Sequence, residues 1–370
     1  MRHMLDAAAW RLGGVSRGLE SMRRSLTVLA YHRVLPAAEA AAYPLANLVV
    51  TREAFEGQVA WLTRHAEVVT VREGLERLGR RERPARPMVA LTFDDGYSDS
   101  AAHAAPVLEA AGVRGTFYVA TGFVDGTPMW FDAAAGWWMR RREAGGSMGR
   151  SGGETVGDLD AEILFHAATL DSWLGWLKSL PPAERDAALA GVGAGAPPAN
   201  CAAMSREQVR TLAEQGHEIG SHTVTHPILT RLAPDALSRE LVDSRATLEA
   251  WTGSPVAGFC YPNGSWSPEV RRACIDAGYA YAASTERGRH AAGDDAWSIR
   301  RRWIAMPSTT RGGAHRDAAF ACEVVGLHDL MRRAARRRGR ARKPEPPAAT
   351  VAASPVAEGR NPLAAEAVHA

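Results

Sequence analysis

Two short polar motifs, far apart in the chain, contain the side chains best suited to chemistry. Asp94 and Asp95 follow an apolar run, and His222 and His226 lie four residues apart in the motif Ser-His-Thr-Val-Thr-His-Pro. Adjacent carboxylates at the end of a buried strand are costly to desolvate unless a cation or a proton compensates them. Imidazole together with carboxylate is a typical ligand set for zinc and other divalent transition metals. The motifs together predict a metal site with a second carboxylate free to accept a proton.

Each motif alone is a weaker signal. Two histidines four apart often bind metal from one helix face, but the β-branched residues between them and Pro227 after them argue against a regular helix. A loop at a strand end can still bring both imidazoles together. The alternative for Asp94 and Asp95 is the first turn of a helix, where the helix dipole stabilises negative charge. That alternative accounts for one carboxylate at most.

The segments around these motifs alternate between strand and helix patterns. Strands are predicted over residues 26–31, 67–71, 88–93, 115–120, 217–222, 256–260, 279–283 and 297–304. Helices are predicted over residues 51–64, 72–78, 98–111, 205–216, 234–251 and 268–277. Such alternation is typical of parallel strands with crossover helices, and six to eight units can close a barrel. We therefore predict an α/β fold, a distorted TIM-like (β/α) barrel, with the polar motifs at the C-terminal rim of its strands.

The alternation of predicted strands and helices divides the chain into three parts. Residues 1–25 are predicted to form an N-terminal helical segment, residues 26–330 the barrel, and residues 331–370 a basic and then Pro/Ala-rich disordered tail. Within the barrel, residues 122–204 break the alternation and predict a mostly helical insertion. Five of the 11 tryptophans lie there. We expect them to pack a small core, with stacking on sugar rings as the alternative.

Composition restricts the class of protein. The 370 residues are 46% hydrophobic and 23% charged, with a net charge of +3 that is concentrated in arginines of residues 332–342. Nucleic-acid binding is therefore not expected. Four widely spaced cysteines, no long apolar run and no recognisable export signal predict a protein of the cytoplasm. The N-terminal helix or the basic tail are candidates for peripheral contact with a membrane.

The joint pattern resembles the polysaccharide deacetylase family, the carbohydrate esterases with NodB homology. The resemblance rests on Thr-Phe-Asp-Asp-Gly at residues 92–96 and on the motif at residues 221–227. Supporting matches lie at residues 31–34, 216–220, 240–245 and 261–264. The likeness covers about residues 26–305, apart from most of the insertion. It implies a distorted (β/α) barrel and metal-dependent hydrolysis of the acetamide bond of N-acetylated sugars.

The resemblance also implies a role for each residue of the two motifs. Asp94 corresponds to the general base, whereas Asp95, His222 and His226 correspond to the metal ligands. The metal is most often Zn²⁺ in this reading, with Co²⁺, Ni²⁺ and Fe²⁺ as alternatives. Water bound to the metal would attack the acetamide carbonyl. The backbone N–H of Asn263 is the expected partner of the resulting oxyanion, because Pro262 has none.

Two further positions stay open at the level of sequence. The acid that protonates the leaving amine is expected to be His32, at the end of the first strand, and the alternative is His328 near the tail. An arginine that many members place before the third motif is replaced here by Cys260. The missing guanidinium is expected from one of three consecutive residues of the last strand, Arg300, Arg301 and Arg302.

The expected function is N-deacetylation of a polysaccharide, an oligosaccharide or a lipid-linked glycan. In the absence of an export signal, a glycan precursor in the cytoplasm is the favoured substrate. The alternatives are hydrolysis of another linear, non-peptide amide on the same barrel and a non-catalytic module that binds glycans. The intact pairs of aspartates and histidines argue against the second alternative.

Overall fold

Parallel strands joined by helices make up most of this chain. A computed structural model describes residues 6, 13–143, 168–306, 310–311, 314–315 and 317–332. Its strands are β1 Ser25–Tyr31, β2 Arg33–Leu35, β3 Val49–Thr51, β4 Glu67–Val69, β5 Met88–Phe93, β6 Thr116–Val119, β7 Glu218–Ser221, β8 Gly258–Cys260, β9 Tyr281–Arg287, β10 His290–Ala291, β11 Ile299–Trp303, β12 Thr310–Arg311 and β13 Ala314–His315.

The helices are α1 Gly14–Met22, α2 Ala37–Ala42, α3 Arg52–His65, α4 Val71–Gly79, α5 Ala105–Ala110, α6 Thr121–Val124, α7 Trp130–Glu143, α8 Leu170–Ser179, α9 Pro182–Gly191, α10 Arg206–Glu214, α11 Pro234–Thr252, α12 Pro268–Asp276 and α13 Asp317–Val324. The predicted caps are present. The side chain of Thr51 accepts from the amide of Ala54 at the start of α3. Ser205 and Gln208 form a capping box before α10.

Seven parallel strands close into a barrel. Their order is β1, β11, β9, β8, β7, β6, β5, and β5 then returns to β1 with all pairs in register from Leu26 with Met88 to Tyr31 with Phe93. Strand β4 adds to the outside of β5, and β10 pairs antiparallel with β1. The prediction of a distorted (β/α) barrel is confirmed. A continuous apolar burial pattern over β1 and β5 is what a strand covered on both faces requires.

One end of the barrel is closed by the start of α4. The hydroxyl of Thr116 accepts from the amide of Val71 at 3.0 Å, and a Glu218 oxygen accepts from the amide of Arg72 at 3.0 Å. The other oxygen of Glu218 accepts from the hydroxyl of Tyr281 at 2.5 Å. These residues lie at the first ends of β6, β7 and β9. The polar motifs lie at the opposite end of the barrel, where the strands end.

The helix predicted over residues 98–111 is present as a continuous helical run over residues 98–110, and its hydrogen bonding changes in the middle. Residues 100–104 form a wide turn with π-helical hydrogen bonding, and the regular helix α5 covers only Ala105–Ala110. Pro106 lies in the first turn of α5. Because proline has no N–H, it cannot continue an α-helical ladder from the preceding turn. The apolar periodicity predicted the continuous helix, whereas the π-helical segment just before this proline was not predicted.

The insertion packs around a second hydrophobic core, which it shares with barrel residues such as Leu35, Tyr43 and Tyr97. Helices α7, α8 and α9 contribute Trp130, Trp173, Trp176 and Leu189, all buried. The indole N–H of Trp173 donates to the carbonyl oxygen of Ala134 at 3.3 Å, which ties α8 to α7. The tryptophans therefore pack as predicted. Helix α8 belongs to the insertion that was predicted to be mostly helical, and residues 144–167 of the insertion lie outside the described part of the chain.

The N-terminal helix packs on the barrel. Val15 and Met22 of α1 are buried in the main core, and a side chain at Gly18 would collide with Val325. The other apolar residues that predicted this helix, Leu5, Ala8, Ala9 and Leu12, lie outside the described residues. Contacts divide the chain into Met1–His328 and Asp329–Ala370, and 329–332 are the described residues of the second unit. The described helices include none that is long and apolar enough to span a bilayer.

Candidate active site

Asp94 and Asp95 lie at the end of β5, on the rim opposite the closed end of the barrel. The amide of Asp94 donates to the carbonyl oxygen of Tyr31 at 3.0 Å, which continues the pairing of β5 with β1. Asp95 then leaves the strand with a φ of 77°, in the left-handed region. This backbone turn directs the two neighbouring carboxylates to different partners. Both side chains are buried.

Asp94 forms a bidentate ion pair with Arg301. The guanidinium nitrogens Nη1 and Nη2 donate to Oδ1 and Oδ2 at 2.7 and 2.8 Å. Arg301 is held in turn by the carbonyl oxygen of Ser284, which accepts from Nε at 2.9 Å. Burial would raise the pKa of Asp94, but the positive charge of Arg301 outweighs it and lowers that pKa. Of the three arginines left open by the sequence, the structure brings Arg301 to the site.

His32 lies on the other side of Asp94. Its Nε2 is 3.7 Å from Oδ2 of Asp94, and its ring lies over Trp303 with centroids 4.3 Å apart. The Nδ1 atom of His32 is buried without a partner among the described residues. Burial lowers the pKa of His32, and the carboxylates of Asp95 and Asp94 oppose that shift. The imidazole can therefore exchange protons with groups in the site while it stays fixed by Trp303.

Asp95 faces the two histidines of the second motif. Its Oδ1 atom is 3.4 Å from Nε2 of His222 and 3.4 Å from Nε2 of His226. The Nδ1 atom of His222 lies 2.7 Å from the carbonyl oxygen of Cys260. A carbonyl can only accept, so Nδ1 carries a proton and Nε2 is the ring atom directed at Asp95. These three residues form one of the groups of side chains able to hold a metal ion.

His222 and His226 cannot both be positively charged in this space. Burial, and after it the charge on His222, lower the pKa of His226 to about 3. Burial also acts against protonation of His222, but the neighbouring Cys260 and Asp95 raise its pKa well above the usual value. Their rings are 4.8 Å apart. A neutral His226 with a free lone pair is the form that binds a metal.

The loop between the two histidines is held by Glu240 of α11. The amides of Val224 and Thr225 donate to Oε2 of Glu240 at 2.8 and 3.0 Å, and the hydroxyl of Thr225 donates to Oε1 at 2.6 Å. Residues Thr223 and His226 have φ values of 72° and 54°. The segment is thus a tight loop and not a helix, as its β-branched residues predicted. Glu240 satisfies its backbone and fixes its shape.

These groups open into one cavity of about 390 Å³. The barrel contributes the two aspartates, the two histidines of the second motif, His32, Arg301, Trp303, Tyr261, Asn263, Thr285 and a loop with Leu45, Asn47 and Leu48. The insertion contributes Phe131, Asp171, Leu174, Gly175 and Lys178. A cavity of this size, with a few convergent polar groups, is typical of a ligand site.

Asn263 also reaches this cavity. It has a φ of 55° within the short turn of residues 262–264. Its backbone N–H donates to no acceptor among the described residues, and its side-chain nitrogen Nδ2 is buried without a partner there. Gly264, at φ 69°, packs so close to Thr285 that a Cβ would lie 2.0 Å from its hydroxyl. The turn is therefore rigid and leaves the Asn263 amide available.

His328 does not belong to the site. Its Nδ1 and Nε2 atoms lie 2.8 Å from carboxylate oxygens of Glu323 and Asp6, respectively. It does not line the cavity described above. Both imidazole nitrogens of His328 are therefore occupied by carboxylates that do not line the cavity. Of the two histidines considered for the acid, the structure brings His32 to Asp94 and leaves His328 elsewhere.

A buried arginine joins the barrel to the insertion, and the sequence patterns did not reveal its role. Arg33 pairs with Asp99 at 2.9 Å, and its guanidinium carbon lies 4.4 and 4.3 Å from the ring centroids of Tyr43 and Tyr97. Both tyrosine hydroxyls donate to Asp132 of α7, at 2.7 and 2.5 Å. Because Tyr97 follows the aspartate motif, this network links the position of the insertion to the site. The sequence feature that could have indicated this role is a single arginine, Arg33, directly after the first strand.

Comparisons with known proteins agree with this geometry. The family model described as Polysaccharide deacetylase matches residues 81–154 and 184–282. The protein YxkH of Bacillus subtilis, a polysaccharide deacetylase by name, is 21% identical over 243 residues, which are 65% of this chain. The match spans 61% of the length of YxkH. The match to the family model includes both aspartates and both histidines of the site.

Two solved structures share the fold. The deacetylase PplD of Streptococcus pyogenes, in complex with acetate, is 19% identical with a TM-score of 0.52 over 77% of this chain and 94% of PplD. IcaB of Ammonifex degensii is 19% identical with a TM-score of 0.53 over 82% of this chain and 97% of IcaB. At this level of identity the likeness concerns the barrel and not its substrate.

Proposed function

Since this chain belongs to the polysaccharide deacetylase family, whose members hydrolyse carbon–nitrogen bonds other than peptide bonds, we propose that it removes acetyl groups from an N-acetylated glycan with the help of a divalent metal. The substrate is a polysaccharide, an oligosaccharide or a lipid-linked glycan. One observation carries the proposal: Asp95, His222 and His226 converge directly beside the Asp94–Arg301 pair in one cavity.

The spacing of the three ligand atoms fits a metal. An N···O distance of 3.4 Å is too long for a strong hydrogen bond. It does match the edge of a tetrahedron around zinc, which is ~3.3 Å for ligand bonds of about 2.05 Å. The second oxygen of Asp95 and Nδ1 of His226 are buried without a partner among the described residues. We therefore assign Asp95, His222 and His226 as the ligands, with zinc as the first candidate.

A divalent ion held there supplies Lewis-acid polarisation of water and of the acetamide carbonyl. Asp94 accepts the proton of the attacking water. Arg301 keeps that carboxylate ionised and in a fixed orientation until the proton arrives. The N–H of Asn263 donates to the oxygen that becomes negatively charged in the tetrahedral transition state.

His32 donates a proton to the departing amine. Its lowered pKa makes the imidazolium a stronger acid, so a proton that reaches Nε2 is readily passed on. Its position 3.7 Å from Oδ2 of Asp94 allows it to face the same reacting group as the base. Trp303 holds the ring in place through their stacking contact.

The first experiment measures metal content and acetate release on the same purified protein. We expect about one divalent ion per chain, loss of acetate release after chelation and its return with zinc. His226→Ala should remove bound metal, whereas the matched control His65→Ala, on the outer helix α3, should keep it. Binding of glycan without any acetate release would instead favour the glycan-binding module.

Two further variants separate the base from the acid. Asp94→Asn should lower acetate release at least ~100-fold on every substrate. His32→Ala should be as severe on an N-acetyl sugar but mild on 4-nitrophenyl acetate, whose leaving group needs no proton. Equal losses of His32→Ala on both substrates would assign His32 a positioning role and contradict its role as the acid.

A further inference from the structure

One helix of the insertion presents a polar stripe to the active-site cavity. Asp171, Leu174, Gly175 and Lys178 of α8 all line it. Their spacing of three and four residues places them on one helix face. The other face of α8 is anchored, because Trp173 and Leu177 are fully buried in the core of the insertion. The stripe is therefore held in place as one wall of the cavity.

Lys178 is an unusual residue in this protein. The chain has 44 lysines and arginines, of which only Lys178 and Lys343 are lysines. Within the described residues, the ammonium of Lys178 makes no hydrogen bond and no ion pair, and Asp171 on the same wall does not pair with it. By contrast, Arg301, the other cation of the cavity, is fully engaged by Asp94. Lys178 is thus the cation that remains for a ligand.

With a divalent ion held at Asp95, the charges around this ammonium would favour an additional anion. The side chain of Lys178 is exposed at the cavity wall, and its partial desolvation there lowers its pKa. The lining carries three carboxylates and two cations, so a divalent ion on Asp95 would leave one net positive charge. Asp95, whose charge favours the ammonium, would then be neutralised by the ion.

The wall beside Lys178 has room for a sugar ring. No atom lies within 4 Å of the place that a Cβ on Gly175 would occupy. Trp303, Leu45 and Asn47 line the same cavity from the barrel. The indole N–H of Trp303 donates to the carbonyl oxygen of Asn47 at 2.7 Å, which fixes that side of the cavity. A flat, uncovered stretch of helix next to a free cation suits a substituted sugar.

We infer that Lys178 binds an anionic group, a carboxylate or a phosphate, carried by the glycan substrate. The inference rests on the proposed function for the identity of the ligand as a glycan, and it specifies the substrate class as acidic. An ammonium is a compact charge with three donors, which suits a single anionic group on a flexible substituent. The ammonium pairs with this anionic group directly at the cavity wall.

Binding of matched probes tests this inference without relying on turnover. The neutral trimer of N-acetylglucosamine is compared with two derivatives, one with a 6-phosphate and one with C6 oxidised to a carboxylate, by calorimetry on the full chain with zinc. We expect both acidic trimers to bind the wild type about tenfold more tightly than the neutral one. Lys178→Gln should reduce this preference to less than about twofold, and Lys178→Arg should keep most of it.

Control variants distinguish Lys178 from general charge. Asp171→Asn, on the same helix face, should keep or increase the preference for acidic trimers. Arg210→Gln, on the exposed face of α10, should leave it unchanged. Unfolding temperatures of all variants should match the wild type. Equal binding of acidic and neutral trimers to the wild type, or an unchanged preference in Lys178→Gln, would overturn the inference.

Acetate release on the same probes separates the two proposals. A preference that depends on Lys178 without acetate release would refute the deacetylase activity and keep the anion site. If the acidic and neutral trimers release acetate with equal KM, and Lys178→Gln leaves these KM values unchanged, the deacetylase activity is kept and the anion site is refuted. If free acetate binds with the same dependence on Lys178, the ammonium is a site for the product, and the inference is wrong.

Discussion

At the scale of single residues, the two neighbouring aspartates are made unequal by their partners. Asp94 is paired with a guanidinium, and Asp95 faces two imidazoles. Arg301 comes from the last barrel strand, β11, which pairs with β1. A buried bidentate pair of this kind fixes both the charge and the direction of the carboxylate. Arg301 is thus a positioning residue for the proposed base.

Arg301→Lys tests this role because it keeps the positive charge at this position and removes the pair of guanidinium N–H donors. A lysine ammonium cannot donate to both oxygens of Asp94 in one plane, so the carboxylate gains freedom. We expect kcat for acetate release to fall at least about tenfold with little change in KM and in metal content. The neighbouring exposed variant Arg300→Lys is the matched control and should be indistinguishable from the wild type.

A fall in metal content in Arg301→Lys would contradict this role. It would show that the guanidinium supports Asp95 and the histidines instead of Asp94. Kinetic constants and metal content of the same preparations decide between the two.

At the scale of elements, the metal site depends on a loop and on the helix that holds it. His222 and His226 flank a loop whose amides are bound by Glu240 of α11. Strands β5 and β7 lie on either side of β6, so the ends of these strands bring the two motifs near each other. The sheet therefore sets the approximate position of the metal site, and the Glu240 carboxylate sets the conformation of the loop between the two histidines.

Glu240→Ala is expected to weaken metal binding while the barrel stays folded. The variant leaves two loop amides and the hydroxyl of Thr225 without their acceptor, so the loop samples other conformations. Loss of such supporting contacts typically costs 10–100-fold in metal affinity. Competition with a chelator of known zinc affinity provides the measurement.

Asp243→Ala, on the exposed side of the same helix, is the control and should bind zinc as the wild type does. Equal zinc affinity in Glu240→Ala and Asp243→Ala would show that the loop keeps its shape without Glu240.

At the scale of the whole molecule, a buried polar network connects the barrel with the insertion that covers one side of the cavity. Arg33 and Asp99 belong to the barrel, whereas Asp132 belongs to α7. Burial raises the pKa of Asp132 to about 6, although the hydroxyls of Tyr97 and Tyr43 lower it in part. The folded protein therefore binds a proton at Asp132 more tightly than the unfolded chain does.

This shift predicts a pH dependence of stability. A raised carboxyl pKa stabilises the fold below the unfolded value of 3.8, and this stabilisation is lost as the pH rises through about 6. The difference of about two pKa units corresponds to on the order of 3 kcal/mol. We expect the free energy of unfolding of the wild type to decrease relative to that of Asp132→Asn between pH 4 and pH 7.

Urea unfolding at several pH values measures this difference. Asp186→Asn, at an exposed position of α9, serves as the control and should follow the wild type at every pH. Parallel curves for the wild type and Asp132→Asn would mean that Asp132 is ionised in the fold throughout this range.

The sequence by itself determined the barrel, the two motifs and the identity of the residues that meet. Apolar strands that end in polar residues can be recognised locally, because burial and backbone chemistry act within a few residues. Thus Asp94, Asp95, His222 and His226 were placed together by pattern. The family resemblance added Asn263 to the predicted site residues, and His32 was added because it lies at the end of the first strand.

Only the tertiary structure decided contacts that no motif indicates. Three consecutive arginines are equivalent in sequence, and the register of β11 on β1 and β9 brings Arg301 to Asp94. In the same way, the structure placed Lys178 on the cavity wall, although its segment carries no motif. The physical reason is that a side chain's partner is set by packing between elements, which local periodicity does not contain.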